Sequence, residues 1–170
     1  MLRKTQILAT LLGTLAAGQA AAADTPLSIE TEPHFVKTEM YGRVLVGKDD
    51  AALYTFKKDF AMGGLPPKCT TKADDLPLGS CLKRWPAATI SYDDFKALAK
   101  KDPSKPFGVV YNQEVGQLQL TYDSLPLYYW FGDKPAEQTN FTGLGVNAAW
   151  DLKSLDKTIS YEGDVTAGGY

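Results

Sequence analysis

Few of the residues on which catalytic and metal centres depend occur in this sequence. Its 170 residues include one histidine, two cysteines and three methionines. Any Ser-His-Asp or Cys-His arrangement would have to use His34, and neither cysteine lies in a nucleophile motif. Two cysteines and one histidine cannot fill a tetrahedral zinc site without carboxylates, and the methionines are too few for a copper thioether cluster. The sequence therefore predicts that the protein is not an enzyme and uses no cofactor.

An excess of positive charge is also missing, as are a phosphate-binding loop and a second long apolar run. The formal net charge is −2 and no basic stripe is present, so nucleic acid is not an expected partner. Gly143 and Gly145 lack the third glycine and the following helix of a dinucleotide-binding loop. Because the only long apolar run is N-terminal, we expect no membrane insertion once that segment is removed.

Residues 1–23 have the pattern of a secretory signal peptide. Arg3 and Lys4 supply the positive start, a short apolar stretch follows, and Ala21 and Ala23 occupy the small-residue positions before the cleavage point. No cysteine follows the apolar stretch, so a lipid anchor at the new N-terminus is not expected. We therefore expect a periplasmic or secreted protein.

Cys69 and Cys81 are predicted to form a disulfide, because an exported chain meets an oxidising compartment and two cysteines allow a single pairing. Such a bond would close a loop without periodic structure and contribute about 3 kcal/mol. The alternative is a redox-active or metal-binding pair. Redox pairs usually lie only two residues apart, which favours the structural bond.

Short strand and turn signals predict a mainly β fold with one short helix, in a single compact domain. Tyr41 to Val46 and Ala52 to Phe56 are predicted to form a hairpin around a Gly/Asp turn. Ser91 is a good N-cap for a helix from Tyr92 to Lys101, which Asp102-Pro103 would end. Further strands are predicted at 107–112, 118–122, 127–131 and 146–152. The predicted organisation is a loose N-terminal arm at 24–40, a β-rich domain at 41–161 and a flexible tail at 162–170.

The phrase Leu-Tyr-x-aromatic-x-x-Asp occurs twice, at residues 53–59 and again at 127–133, and a tryptophan follows each copy, Trp85 and Trp150. This repetition predicts two related β-hairpin halves. In the first interpretation the aromatic side chains pack the core and the aspartates clamp turns. In the second, the two copies meet across a pseudo-two-fold axis and form an aromatic-walled cleft with two carboxylates at its mouth, able to bind a planar or cationic ligand. The candidate ligand-binding residues are Tyr54, Phe56, Asp59, Tyr128, Trp130 and Asp133.

The order of these elements resembles a known family. The first motif, two cysteines, the run Cys81-Leu82-Lys83-Arg84-Trp85-Pro86, Gln119 to Tyr122 and the second motif follow one another as in the bacterial secreted-repeat family, predicted lipoproteins with a Tyr-x-(Phe/Trp/Tyr)-x-x-Asp motif. The resemblance covers about residues 42–152. It implies a small β-rich envelope domain without an established enzymatic activity. This chain departs from the pattern in its wider cysteine spacing and in lacking the anchoring cysteine.

The functional prediction is a non-catalytic, secreted cell-envelope module with a binding or accessory role. Its partner would be an envelope protein or a small molecule. The alternative is a haem-associated or electron-transfer accessory protein, because tyrosine can ligate haem and nine tyrosines are present. No Cys-x-x-Cys-His motif occurs, so such a haem would be bound non-covalently.

Overall fold

The computed structural model describes residues 25–38, 41–61, 66–72, 79–133, 150–153 and 158–159. The predicted signal peptide and the predicted tail lie outside these ranges. The strands are β1 (Ser28–Glu30), β2 (His34–Thr38), β3 (Gly42–Val46), β4 (Tyr54–Phe56), β5 (Ala87–Thr89), β6 (Phe107–Asn112), β7 (Gln117–Tyr122), β8 (Leu125–Tyr128), β9 (Trp150–Lys153) and β10 (Thr158–Ile159). The helices are α1 (Lys57–Ala61), α2 (Cys81–Arg84) and α3 (Tyr92–Lys101), and a 3₁₀ turn covers Lys48–Asp50.

Eight of the described strands form one sheet in the order β1-β5-β7-β8-β4-β9-β10, with β6 paired to β7. The pairing of β1 with β5 is parallel, and the other ladders of this sheet are antiparallel. Strands β2 and β3 form a separate two-stranded sheet. The mainly β prediction is therefore confirmed. No helix in the described part of the chain is long and apolar enough to cross a membrane.

Alternation along the strands divides the core into two hydrophobic clusters, because successive strand residues point to opposite faces. Tyr54 and Tyr128 belong to the first cluster, whereas their neighbours Leu53 and Leu127 belong to the second. Helix α3 covers the second cluster with Phe95 and Leu98.

Helix α3 has the predicted bounds, and Ser91 caps it by accepting a hydrogen bond from the Asp94 amide at 3.1 Å. The other two described helices, α1 and α2, were not predicted. They have five and four residues, which is too short for a recognisable apolar period. Ser80 nevertheless caps α2, since its hydroxyl accepts from the Lys83 amide.

The predicted hairpin between β3 and β4 is only partly formed. Val46 and Ala52 make a single antiparallel bridge, and the Leu53 amide donates to the Leu45 carbonyl at 3.0 Å. Beyond these contacts β3 pairs along its length with β2, and β4 pairs with β8 on one side and β9 on the other. The turn residues correctly predicted where the chain reverses. They could not predict which other strands pair with β3 and β4.

Strands β1 and β2 lie within residues 24–40, where a loose arm was predicted, so the described part of that arm is structured. The reason lies in the side chains of β2. Val36 packs against the first cluster and Phe35 against the second, so both faces of this short segment contribute to burial.

Strand β8 begins and ends earlier than the predicted 127–131. It starts at Leu125 because Asp123 and Ser124 form a tight turn with positive φ values of 50° and 64°. It ends at Tyr128, after which the Tyr129 amide donates to the Pro86 carbonyl instead of continuing the ladder. The predicted strand at 146–152 is described from Trp150 onward as β9.

The predicted disulfide is confirmed: Cys69 and Cys81 are bonded, with their Cα atoms 5.2 Å apart. The bond joins Cys69 to the first residue of α2, and the Leu82 amide donates to the Thr70 carbonyl beside it. The disulfide therefore ties the segment around Cys69 to α2 and to the core near Trp85, which belongs to the first hydrophobic cluster.

Candidate functional site

The two motif copies lie side by side at the centre of the main sheet. Strands β4 and β8 are antiparallel neighbours, and Tyr54 is the register partner of Tyr128. A separation of 74 residues in sequence thus becomes direct contact in the sheet. All six predicted site residues are described, and the fold brings them together.

Each motif tyrosine donates a hydrogen bond to the aspartate of the other copy. The Tyr54 hydroxyl donates to Asp133 Oδ2 at 3.1 Å, and the Tyr128 hydroxyl donates to Asp59 Oδ2 at 2.9 Å. Helix α1 carries Asp59, and Asp133 follows β8 in a turn where its amide donates to the Trp130 carbonyl. The two bonds form a reciprocal pair, which we call the tyrosine–aspartate clamp.

Four aromatic rings stack beside this clamp. Phe56 stacks on Trp150 with a centroid distance of 4.4 Å, and Trp150 stacks on Trp85 at 3.8 Å. Trp85 is followed by Trp130 at 6.2 Å in a tilted arrangement. The row therefore has one ring from each motif at its two ends and the two tryptophans that follow the motifs at its centre.

The motif tyrosines meet this row edge-on, Tyr54 against Trp85 at 5.4 Å and Tyr128 against Trp150 at 5.1 Å. Each tyrosine thus contacts the tryptophan that follows its own motif, while its hydroxyl reaches the aspartate of the other. Such edge-to-face contacts add about 0.5–1.5 kcal/mol each beyond the burial of area.

Burial distinguishes the two interpretations of the motif. Tyr54, Tyr128 and Asp59 are fully buried, and Asp133 is 8% exposed. The carboxylates therefore lie inside the core and not at the mouth of an open cleft. This geometry favours the packing interpretation, in which the residues hold strands together.

Removal from water shifts the titration of both carboxyl groups. Burial raises the pKa of Asp59 from 3.8 to about 6, against the opposing effects of the Lys68 amide and the Tyr128 hydroxyl. Burial likewise raises the pKa of Asp133 from 3.8 to about 6, opposed by the Tyr54 hydroxyl. Burial, followed by the charge of Asp59, raises the pKa of Tyr128 well above its ordinary value. The Tyr128 hydroxyl therefore keeps its proton and acts as a hydrogen-bond donor near neutral pH.

The two sides of the clamp differ in their second carboxylate oxygen. Asp59 Oδ1 accepts from the Lys68 amide at 2.7 Å, next to the disulfide-bonded Cys69. Asp133 Oδ1 is buried and has no hydrogen-bond partner among the described residues. The disulfide thus supports one half of the clamp. The role of Lys68 could not be inferred from the sequence, because every residue type except proline offers the same backbone amide.

A second buried hydrogen-bond network joins β6, β7 and β8. Gln119 accepts from the Asn112 amide nitrogen and donates to the Leu127 carbonyl, both at 2.8 Å. Both side chains are buried. In the sequence, Gln119 is a polar residue between apolar neighbours of a strand. This pattern also fits a residue that faces solvent, so it did not predict a buried network.

The contacts of the described residues do not favour metal or haem binding. Among the described residues, no group of three His, Cys, Asp or Glu side chains is arranged to hold a metal ion. His34 is half-exposed, and its Nε2 lies 2.7 Å from Asp50 Oδ1. Both motif tyrosines use their hydroxyls within the clamp, so nothing in this geometry favours the haem-associated alternative.

The fold and the buried clamp define a β-rich module in which two aromatic–acid motifs are built into the core. Residues 109–152 match the model of a family described as a secreted repeat of unknown function. The match runs from β6 to β9 and contains the second motif copy, which supports the family resemblance over a shorter range than expected. A secreted, non-catalytic module fits this family. No significant match was found among curated proteins or among solved structures.

Proposed function

We propose that this chain is a non-catalytic binding or accessory module of the bacterial cell envelope, periplasmic or secreted, in which the duplicated motif joins two related halves. The observation that carries the proposal is the reciprocal clamp, whose four side chains lie in the core. In this proposal the six motif residues act in assembly of the fold, and any partner binds elsewhere on the surface.

Strand exchange between the halves supports this proposal. Strand β5 follows the first motif and pairs with β8 of the second, with Ala87 opposite Tyr128. Strand β9 follows the second motif and pairs with β4 of the first, with Leu152 opposite Tyr54. In each case the tryptophan that follows the motif lies two residues before the paired residue: Trp85 before Ala87, and Trp150 before Leu152. Each half therefore supplies a strand to the other.

The turns before the motifs support a duplication as well. Asp49 and Asp50 have positive φ values of 56° and 59°, and Asp123 and Ser124 have values of 50° and 64°. The two pairs are separated by the same 74 residues as the motifs. Non-glycine residues adopt this conformation infrequently, so its recurrence at equivalent positions is informative.

A set of double-mutant cycles tests the clamp. We expect Tyr54→Phe and Tyr128→Phe each to lower the free energy of unfolding by about 1–3 kcal/mol, since a buried carboxylate loses its donor. The effect of Tyr54→Phe should shrink in an Asp133→Ala background, which removes the acceptor, and persist in an Asp59→Ala background. Urea unfolding followed by tryptophan fluorescence measures all of these variants.

The opposite pattern would favour a ligand cleft. If the Tyr→Phe variants keep full stability, or couple to the aspartate of their own copy, the reciprocal clamp does not hold the fold together. The export part of the proposal has its own check: the intact mass of protein recovered from the periplasm or medium should correspond to a chain that begins at Asp24. A retained leader would contradict it.

A further inference from the structure

A groove that no motif residue lines lies where β1, β5 and β7 meet the start of α3. Its volume is about 420 Å³, within the range of small-molecule sites. Residues from all four elements line it: Ser28, Glu30, Thr89, Ile90, Ser91, Tyr92, Gln117 and Leu118. Every one of them belongs to the described part of the chain.

The chemistry of the lining is mostly hydroxyl and amide, with one aromatic ring and one formal charge. Glu30 supplies that charge and has no ion-pair partner among the described residues. A negative carboxylate disfavours anionic ligands, while hydroxyl, amide and carboxylate groups together suit a ligand rich in hydroxyls. Leu118, which is half-buried, adds apolar surface for one face of such a ligand.

Tyr92 provides an exposed aromatic surface at the groove, with 62% of its area accessible. Lys96 Nζ lies over the ring at 4.8 Å from its centroid and is paired with Asp93 at 2.8 Å. These contacts hold the ring from one side. The high exposure of the ring means that the remaining surface is open to a ligand.

The groove is held in shape by bonds between its own walls. The Ser28 hydroxyl donates to Gln117 Oε1 at 3.2 Å, and the Ile90 amide donates to the Leu118 carbonyl at 3.0 Å. Gln117 is exposed, and its side-chain amide carries two N–H donors that can reach a ligand in the groove.

We propose that this groove binds a neutral sugar, with Tyr92 packing on a pyranose ring and Glu30 and Gln117 bonding its hydroxyls. This inference rests on the proposed binding role, which it deepens by placing the ligand away from the clamp. The groove suits a sugar because an aromatic ring can pack on the apolar face of a pyranose. The polar groups around that ring can then bond the sugar hydroxyls.

Titration of the full-length, exported protein with maltose and with chitobiose tests this inference. Two-dimensional amide NMR should show saturable shifts at Ser28 to Glu30, Thr89 to Tyr92 and Gln117 to Leu118 with at least one of these sugars. Tyr92→Ala and Glu30→Gln should each weaken binding about tenfold, equal to about 1.4 kcal/mol. Both positions are exposed, so the variants should keep the fold.

Tyr111→Ala is the matched control, because Tyr111 is 58% exposed but does not line the groove. Its affinity should equal that of the unchanged protein. The inference is overturned if neither sugar produces saturable shifts, if the shifts lie elsewhere, or if Tyr92→Ala binds as well as the unchanged protein. Failure here leaves the cycles on the clamp unaffected, so the two proposals fail separately.

Discussion

The raised pKa values of Asp59 and Asp133 predict that this protein becomes less stable as the pH rises through about 6. The pKa of each carboxyl is 3.8 when the side chain is fully solvated, as in the unfolded chain, and about 6 in the folded protein. The folded state therefore binds these protons more tightly than the unfolded state. The resulting stability is fully present below pH 3.8 and is lost as the pH rises through about 6.

The magnitude follows from the size of the shift. A rise from 3.8 to about 6 corresponds to about 3 kcal/mol for each carboxyl over the whole titration. Between pH 5 and pH 8 the loss is about 1.4 kcal/mol for each, because pH 5 is one unit below the folded-state pKa. Together the two carboxyls should lower the free energy of unfolding by roughly 3 kcal/mol across this window.

Asp133→Asn should halve this pH dependence and leave the part due to Asp59. Asp133 suits the test because the Tyr54 hydroxyl is its side-chain partner among the described residues, and an asparagine oxygen can accept the same bond. Urea unfolding at several values between pH 5 and pH 8, followed by tryptophan fluorescence, gives the slope. Any constant effect of the substitution on stability does not alter that slope.

Asp93→Asn provides the control, since the Asp93 side chain is 88% exposed and carries little desolvation penalty. It should leave the slope unchanged. If Asp133→Asn also leaves the slope unchanged, or if stability rises between pH 5 and pH 8, burial does not raise the pKa of these carboxyl groups in the folded protein.

Two further predictions concern how the core is held together. Replacing Cys69 and Cys81 by serine should lower the free energy of unfolding by about 3 kcal/mol, the amount expected for a loop of this length; equal stability of the unchanged protein with and without reductant would contradict this. Gly47→Ala should destabilise by about 3 kcal/mol, because a Cβ there would overlap the Thr31 and Tyr129 hydroxyl oxygens. Removing the Tyr129 hydroxyl should relieve part of that effect in a thermal melt, and strict additivity of the two substitutions would refute the steric explanation.

Local signals predicted several elements of the fold correctly. The Ser91 cap and the following apolar spacing defined helix α3, and strand alternation defined β6 and most of β7. Alternation also separated Tyr54 from Leu53 onto opposite faces of β4, as the two hydrophobic clusters show. These features depend on residues within a few positions of one another, so one sequence is enough to infer them.

Long-range pairing was not predictable in the same way. Strand β4 was expected to continue a hairpin with β3, but its ladder partners are β8 and β9. The choice depends on which edges are free after the whole chain has folded, and no local pattern carries that information. The short helices α1 and α2 were not predicted for a related reason. Tertiary contacts stabilise such short helices more than their intrinsic helix propensity does.

The sequence by itself determined a mainly β composition, one capped helix, a disulfide pair and the existence of a duplicated motif, because each of these depends on residue type and spacing. Only the tertiary structure decided that Tyr54 bonds to Asp133 and Tyr128 to Asp59, and that the four aromatic rings stack in one row. Burial of the carboxylates was equally a tertiary outcome. A motif specifies which groups are present, whereas the antiparallel register of two distant strands sets their distances and their exposure to water.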